Sequence, residues 1–180
     1  MSLGTVVQNG PLGVTAIEPD EFTDFVANRA TALLRTAYLL CGGDRGAAED
    51  LLQDVLERTY RKRGRVRGGL EPYVRAGLAN AAANRWRTRS RRVPEAPLER
   101  AADPGTWTDE AARLADRDRV ATALGGLPPR MRAVLVLRFF DDLSEADTAA
   151  ALGCGVGTVK SQTSRGLERL RTLLDAPVRS

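Results

Sequence analysis

Apolar residues recur along this chain at helical intervals, and nowhere do they alternate as in a strand. From Glu21 to Leu40, the positions Phe22, Phe25, Val26, Leu33, Ala37 and Leu40 fall on one side of a helix. "CGGD" then interrupts the pattern. Glycine suits a helix C-terminus, and Asp44 is placed to cap the next start. A second helix is predicted from about Gly46 to Arg63, with Ala48, Leu51, Leu52, Val55, Leu56 and Tyr60 on its apolar face. "RGRVRGG" ends it. A third runs from about Glu71 to Arg89, with Pro72 tolerated in its first turn.

"SRRVPEAPLERAADPGTW" has three prolines and no period, and reads as a linker. Helices resume near Asp109. Gly125-Gly126 closes one, and "LPPRMRAVLVLRFF" opens another with proline at its entry. Ser144 with Asp147 three residues on forms a capping box for the next. The predicted fold is all-α: two small helical domains, one of three helices (20–92) and one of four (109–176), joined by a flexible linker (93–108). Residues 1–19, rich in glycine and proline, read as a disordered tail.

The stretch "LSEADTAAALGCGVGTVKSQTSRGLERLR" places two helices about a short glycine-containing break. At about 100° per residue, Val159, Thr163, Gly166, Leu167, Leu170, Leu173 and Leu174 gather on one face of the last helix. Lys160, Ser161, Ser164, Arg165, Glu168 and Arg171 gather on the other. Ala149 at a close crossing, Gly153 in the turn and Val159 in the core give helix-turn-helix spacing. The polar start of the last helix is where such a motif enters the major groove. Arginine and lysine can bond guanine edges there, and serine serves as donor or acceptor. A plain αα-hairpin with a solvated basic face has the same spacing.

Charge sharpens the picture. The net charge is only +4, but Arg58 to Arg92 carries twelve basic residues against one acid, Glu71. Val93 to Gly125 carries seven acids and four arginines. A basic block of that purity exceeds what solubility requires and points to nucleic acid. The acids from Glu95 to Asp118 lie between basic stretches and are expected to fold back onto one of them. Asp50, Gln53, Asp54 and Glu57, at i, i+3, i+4 and i+7, form an acidic stripe opposite the apolar face of the second helix. It suits a basic protein partner, although a solvated helix face has the same spacing. On the third helix, Asn80 and Asn84 are followed by Arg85, Trp86, Arg87 and Arg89. Asparagine can pair with a base edge, and arginine neutralises phosphate. Tyr73 and Trp86 offer rings for an unstacked base, Trp86 being equally suited to core filling.

The chain has no histidine and two cysteines, Cys41 and Cys154, which fit no metal spacing. Histidine triads and histidine-zinc sites are excluded, the glycines of "GCGVG" follow no predicted strand, and no cofactor or metal is expected. No catalytic constellation appears. No apolar run approaches a bilayer span and no secretion signal is read, so a cytoplasmic protein with reduced thiols and no membrane partner is expected.

The motifs "LPPRMRAVLVLRFF", "LGC", "GTVKS" and "RGLERLR" resemble region 4 of the extracytoplasmic-function (ECF) sigma factors of the sigma-70 family. "AAEDLLQDVLERTYRK" and "YVRAGLANAAANRW" resemble region 2 of the same group. Together they cover residues 20–92 and 110–175. The resemblance implies a promoter-specificity subunit that directs core RNA polymerase and helps open the minus-ten region. It implies that Asp50, Gln53, Asp54 and Glu57 contact the clamp coiled coil, with the flap as a further polymerase partner. Tyr73, Asn80, Asn84, Arg85 and Arg87 would then bind the minus-ten strand, and Thr158, Lys160, Ser161, Ser164 and Arg165 the minus-thirty-five element. Family members are often held by an anti-sigma factor clasping both lobes. Two features depart from the pattern. Thr148 and Thr163 stand where larger aliphatics are usual, and "RVRGGLEPY" is short and poor in aromatics for a loop that holds an extruded base. A self-sufficient dimeric helix-turn-helix repressor is the competing reading, and it leaves the acidic stripe and the basic third helix unexplained.

Overall fold

Helix ends are set by local chemistry. Asp44 accepts the N–H of Ala47 at 2.9 Å. Ser144 accepts the N–H of Asp147 at 3.0 Å, the N-cap half of the expected capping box, and its hydroxyl donates to Asp147 Oδ2 at 2.6 Å. Gly153 takes the left-handed conformation (φ 61°) that turns the chain between the last two helices. The computed structural model describes residues 17–89 and 109–175, with side chains described for 17–85 and 115–175. Seven α-helices lie among them: α1 (Pro19–Leu40), α2 (Arg45–Lys62), α3 (Leu70–Arg89), α4 (Asp109–Gly125), α5 (Pro129–Phe139), α6 (Glu145–Leu152) and α7 (Val156–Asp175). A single 3-10 turn, Arg63–Arg65, follows α2. Helix α1 starts at Pro19, slightly before the periodicity does, because proline is pre-set for a first helical turn. The bulk of the expected tail, the linker 93–108 and residue 176 lie outside the described residues.

Leu33, Ala37, Leu51, Val55, Val74 and Leu78 fill the space between α1, α2 and α3. In the second group, α7 crosses α5 at Gly166, where an added Cβ would come within 2.9 Å of Met131 Cγ. Val134, Ala149 and Val159 close the helix-turn-helix beneath it. The two groups are not apart. Helix α1 packs on α4 and α5, and α3 packs on α5 and α6. One continuous core runs through both. Every residue from Arg132 to Leu137 in α5 is buried, as befits a helix covered on all sides.

The seam between the groups has a backbone crossing at its centre. Gly42 sits at φ 67°, and a Cβ there would lie 2.6 Å from Gly125 Cα. Beside it Arg132, 5% exposed, reaches across. It donates to the carbonyls of Leu40 (2.9 Å), Gly125 (2.7 Å) and Leu127 (3.1 Å), so that one guanidinium serves both groups. Burial pulls its pKa down from the ordinary value, but a guanidinium stays charged in proteins.

Candidate nucleic-acid and protein interfaces

Packing of Val159 and Gly166 onto α5 fixes how α7 is turned. Thr158, Lys160, Ser164 and Arg165 then face solvent, and Ser161 is half-buried. Ser161 donates to the Thr158 carbonyl at 3.0 Å. Lys160 Nζ lies 3.7 Å from Glu145 Oε2, a loose exposed pair worth little. The guanidinium of Arg165 has no hydrogen bond or ion pair among the described residues. The arrangement leaves donors and cations at the start of a helix seated on a helix-turn-helix, as the spacing predicts.

The acidic stripe is intact: Asp50, Gln53, Asp54 and Glu57 are all exposed. Gln53 donates to Glu57 at 3.4 Å, and Arg61 bonds Glu57 at 3.1 Å. An apolar groove of about 500 Å³ runs alongside, lined by Phe22, Val26, Leu34, Leu52, Leu56 and Tyr60. The groove escaped sequence reasoning. Its signal is Leu56, whose side chain remains partly open to solvent beside the acids.

Along α3, Tyr73, Asn80 and Asn84 share one face, within an arc of about 40° at about 100° per residue. All three are exposed. Arg85 turns away from them and bonds Asp54 of α2, with a long contact to the Ala47 carbonyl at 3.5 Å. It therefore links the acidic stripe to the third helix. The side chains of Trp86 and Arg87 lie outside the described residues. Asn80 is engaged in an unexpected way. Its amide donates to the Ala76 carbonyl at 3.0 Å and, across the seam, to the Ala151 carbonyl of α6 at 2.8 Å.

Between α1 and the loop before α3 lies an open cleft of about 690 Å³, lined in part by Phe25, Arg29, Val66, Arg67, Leu70 and Glu71. Its ring comes from Phe25 of α1, which sequence reasoning did not assign, and not from the short loop. Gly68 and Gly69, at φ 78° and 99°, supply the turn. Of the acids expected to fold back, Asp118 accepts from Tyr38 Oη of α1 at 2.7 Å, and the side chains from Glu95 to Glu110 lie outside the described residues. Burial first, and then that carboxylate, push the Tyr38 pKa up to about 12. The acid thus meets a neutral phenol and not the basic third helix.

Residues 117–170 match the family described as Sigma-70, region 4. The chain is 39% identical over 161 residues to the RNA polymerase sigma-E factor of Streptomyces avermitilis, spanning 87% of this chain and 86% of that protein. It is 30% identical over 167 residues to the ECF RNA polymerase sigma factor SigL of Mycobacterium tuberculosis, spanning 90% and 93%. The chain belongs to the ECF sigma factors. As such it directs RNA polymerase to promoters, and the dimeric repressor reading falls away. This sigma factor is also similar in structure to the sigma factor RpoE in complex with the anti-sigma factor NepR from Bartonella quintana, with TM-score 0.64 and 27% identity over 86% of this chain and 98% of that one. A second neighbour is CnrH in complex with the cytosolic domain of CnrY, with TM-score 0.60 and 26% identity over 88% and 90%. Among its described residues, no helix is long and apolar enough to cross a membrane.

Proposed function

We propose that this ECF sigma factor divides its work between two lobes, region 2 over 20–92 and region 4 over 109–176, with residues 93–108 as the tether. Asp50, Gln53, Asp54 and Glu57 dock on a basic surface of the polymerase clamp, and the apolar groove beside them adds the burial that an exposed charged stripe lacks. Tyr73, Asn80 and Asn84 meet the opened minus-ten strand, which the enzyme holds apart once a base enters a pocket such as the cleft at Phe25. Thr158, Lys160, Ser161, Ser164 and Arg165 read the minus-thirty-five element, and region 4 also meets the polymerase flap. The protein works in the cytoplasm and catalyses no reaction of its own.

The observation that carries this reading is the contrast between surfaces. The acidic stripe and the start of α7 face solvent, while the Asn80 amide is held by α6. The free chain is thus ready for polymerase before it is ready for the minus-ten strand. An anti-sigma factor that holds the lobes together would prolong that state. Transcription reconstituted from the pure chain, core polymerase and a promoter library tests it. New start sites that require both protein components are expected. Sequence-specific occupancy of DNA by the chain alone, with no effect on core, would refute it.

A further inference from the structure

Thr36 of α1, Arg75 of α3 and Asp141 of the α5–α6 turn meet at one point of the seam. Thr36 Oγ1 donates to Asp141 Oδ1 at 2.7 Å. Arg75 Nη1 lies 3.4 Å from the same oxygen and donates to the Asp141 carbonyl at 3.1 Å. Arg75 Nη2 donates to Glu71 Oε1 at 2.7 Å, and Glu71 Oε2 pairs with Arg29 Nε at 3.1 Å. Charges of alternating sign therefore run from α1 through α3 into the second lobe. The Asp141 side chain is 4% exposed, yet its Oδ2 makes no hydrogen bond among the described residues. The next residue, Asp142, holds φ at 53°, where non-glycine residues are uncommon. The turn thus carries strain while it holds Asp141 in the seam.

Two opposed effects act on this carboxylate. It is gripped by α1 and α3 of the other lobe, so it joins the lobes. It is also dried on one oxygen, and a buried carboxylate with incomplete hydrogen bonding is disfavoured. Arg75 offsets this only in part, because it sits closer to Glu71, at 2.7 Å, than to Asp141, at 3.4 Å. We propose that Asp141 is a poised latch: ionised, it keeps the closed arrangement weak enough for the lobes to part, and neutral, it holds them shut.

Titration supports the geometry. Desolvation pushes the Asp141 carboxyl above its usual range, the Thr36 hydrogen bond and Arg75 pull it down, and Glu71 and Asp142 push it further up. Those are the groups facing it from α1, α3 and its own turn, with Arg29 behind Glu71. The net rise means that the closed form binds the proton more tightly than an open form in which Asp141 is hydrated. Closure is therefore strengthened as pH falls toward the raised pKa, and weakened as pH rises through it. The chain contains no histidine, so no imidazole adds its own titration between neutrality and the carboxylate range.

Small-angle scattering of the full chain, with circular dichroism alongside, tests the latch in a pH series from neutrality down toward the ordinary carboxylate range. For 180 residues, a compact chain has a radius of gyration of about 16 Å. The wild-type radius should fall toward that value on acidification, with helix content unchanged. Asp141→Asn should sit near the compact value throughout and lose the pH response. A variant more extended than wild type at neutral pH, or one with an undiminished pH response, overturns the proposal. Should the variant not fold, a wild-type radius that ignores pH overturns it equally. The role of the latch in transcription rests on the promoter reading above. The scattering experiment contains neither DNA nor polymerase, so its failure leaves that reading standing.

Discussion

The side-chain amide of Asn80 donates to the carbonyl of Ala151 at 2.8 Å. A group suited to a base edge and the helix that precedes the recognition helix thus hold one another. The partnership is not a matter of surface charge, since neither group is ionised. It depends on how closely the backbones of α3 and α6 approach, along the seam that the Gly42–Gly125 crossing also joins.

Gly42→Ala should therefore open the seam. The substitution meets both a left-handed φ of 67° and a backbone atom 2.6 Å away. A loss of about 1–3 kcal/mol in denaturant unfolding is expected. The helices should survive, and single-stranded promoter DNA should bind the free chain more tightly in fluorescence anisotropy. Parted lobes with unchanged DNA affinity would show that the Asn80 pairing does not limit binding.

Arg165 stands exposed on the polar face of α7, with no competing partner to release among the described residues. If it meets a base, Arg165→Ala should weaken binding of region 4 to its element by about 1–3 kcal/mol and relax preference at one base pair. Competition with a set of single-base variants reads this out. Equal weakening on every sequence would identify a phosphate contact instead.

Reversal of Asp50 and Asp54 to lysine should abolish assembly with core polymerase in a pull-down. The fold should be spared. Asp54 bonds Arg85, but the two side chains are 50% and 42% exposed, and an ion pair that open contributes about 1 kcal/mol or less. Assembly at the wild-type level would remove α2 from the docking face.

Thr148 is fully buried and its hydroxyl has no partner among the described residues. Thr148→Val keeps the branching and removes the unsatisfied oxygen. A gain of about 1 kcal/mol is expected, seen as a rise in Tm of about 2–4 °C. A fall would mean that the hydroxyl finds a partner in solution.

The helices were legible because their signals are short-range. The Ser144 cap, the Asp44 cap and the Gly153 turn each act within three or four residues, and each took its expected form. The faces of α2 and α7 followed from periodicity for the same reason. The seam was not legible. Thr36 and Asp141 are 105 residues apart in the chain, and Asn80 and Ala151 are 71 apart. Nothing in the local pattern of either segment names the other. The Arg85–Asp54 pair was not legible either, because a basic residue after two asparagines suits phosphate as well as it suits an acid on the neighbouring helix. One clue was present: the unbroken apolar run Ala133–Leu137 leaves α5 no face for water, so a helix of that kind requires neighbours on every side.

The groove between α1 and α2 stays open while Asn80 is tied to α6. Consider what this does to the search for a promoter. A chromosome offers roughly 10⁶–10⁹ competing sites, and a basic protein that shows all its nucleic-acid groups at once is diluted over them. This chain shows the short polar start of α7, but on the exposed face of α3 it keeps the Asn80 amide occupied by α6. It would remain in the pool from which polymerase recruits, and would acquire its full grip on DNA only as part of the enzyme that uses it.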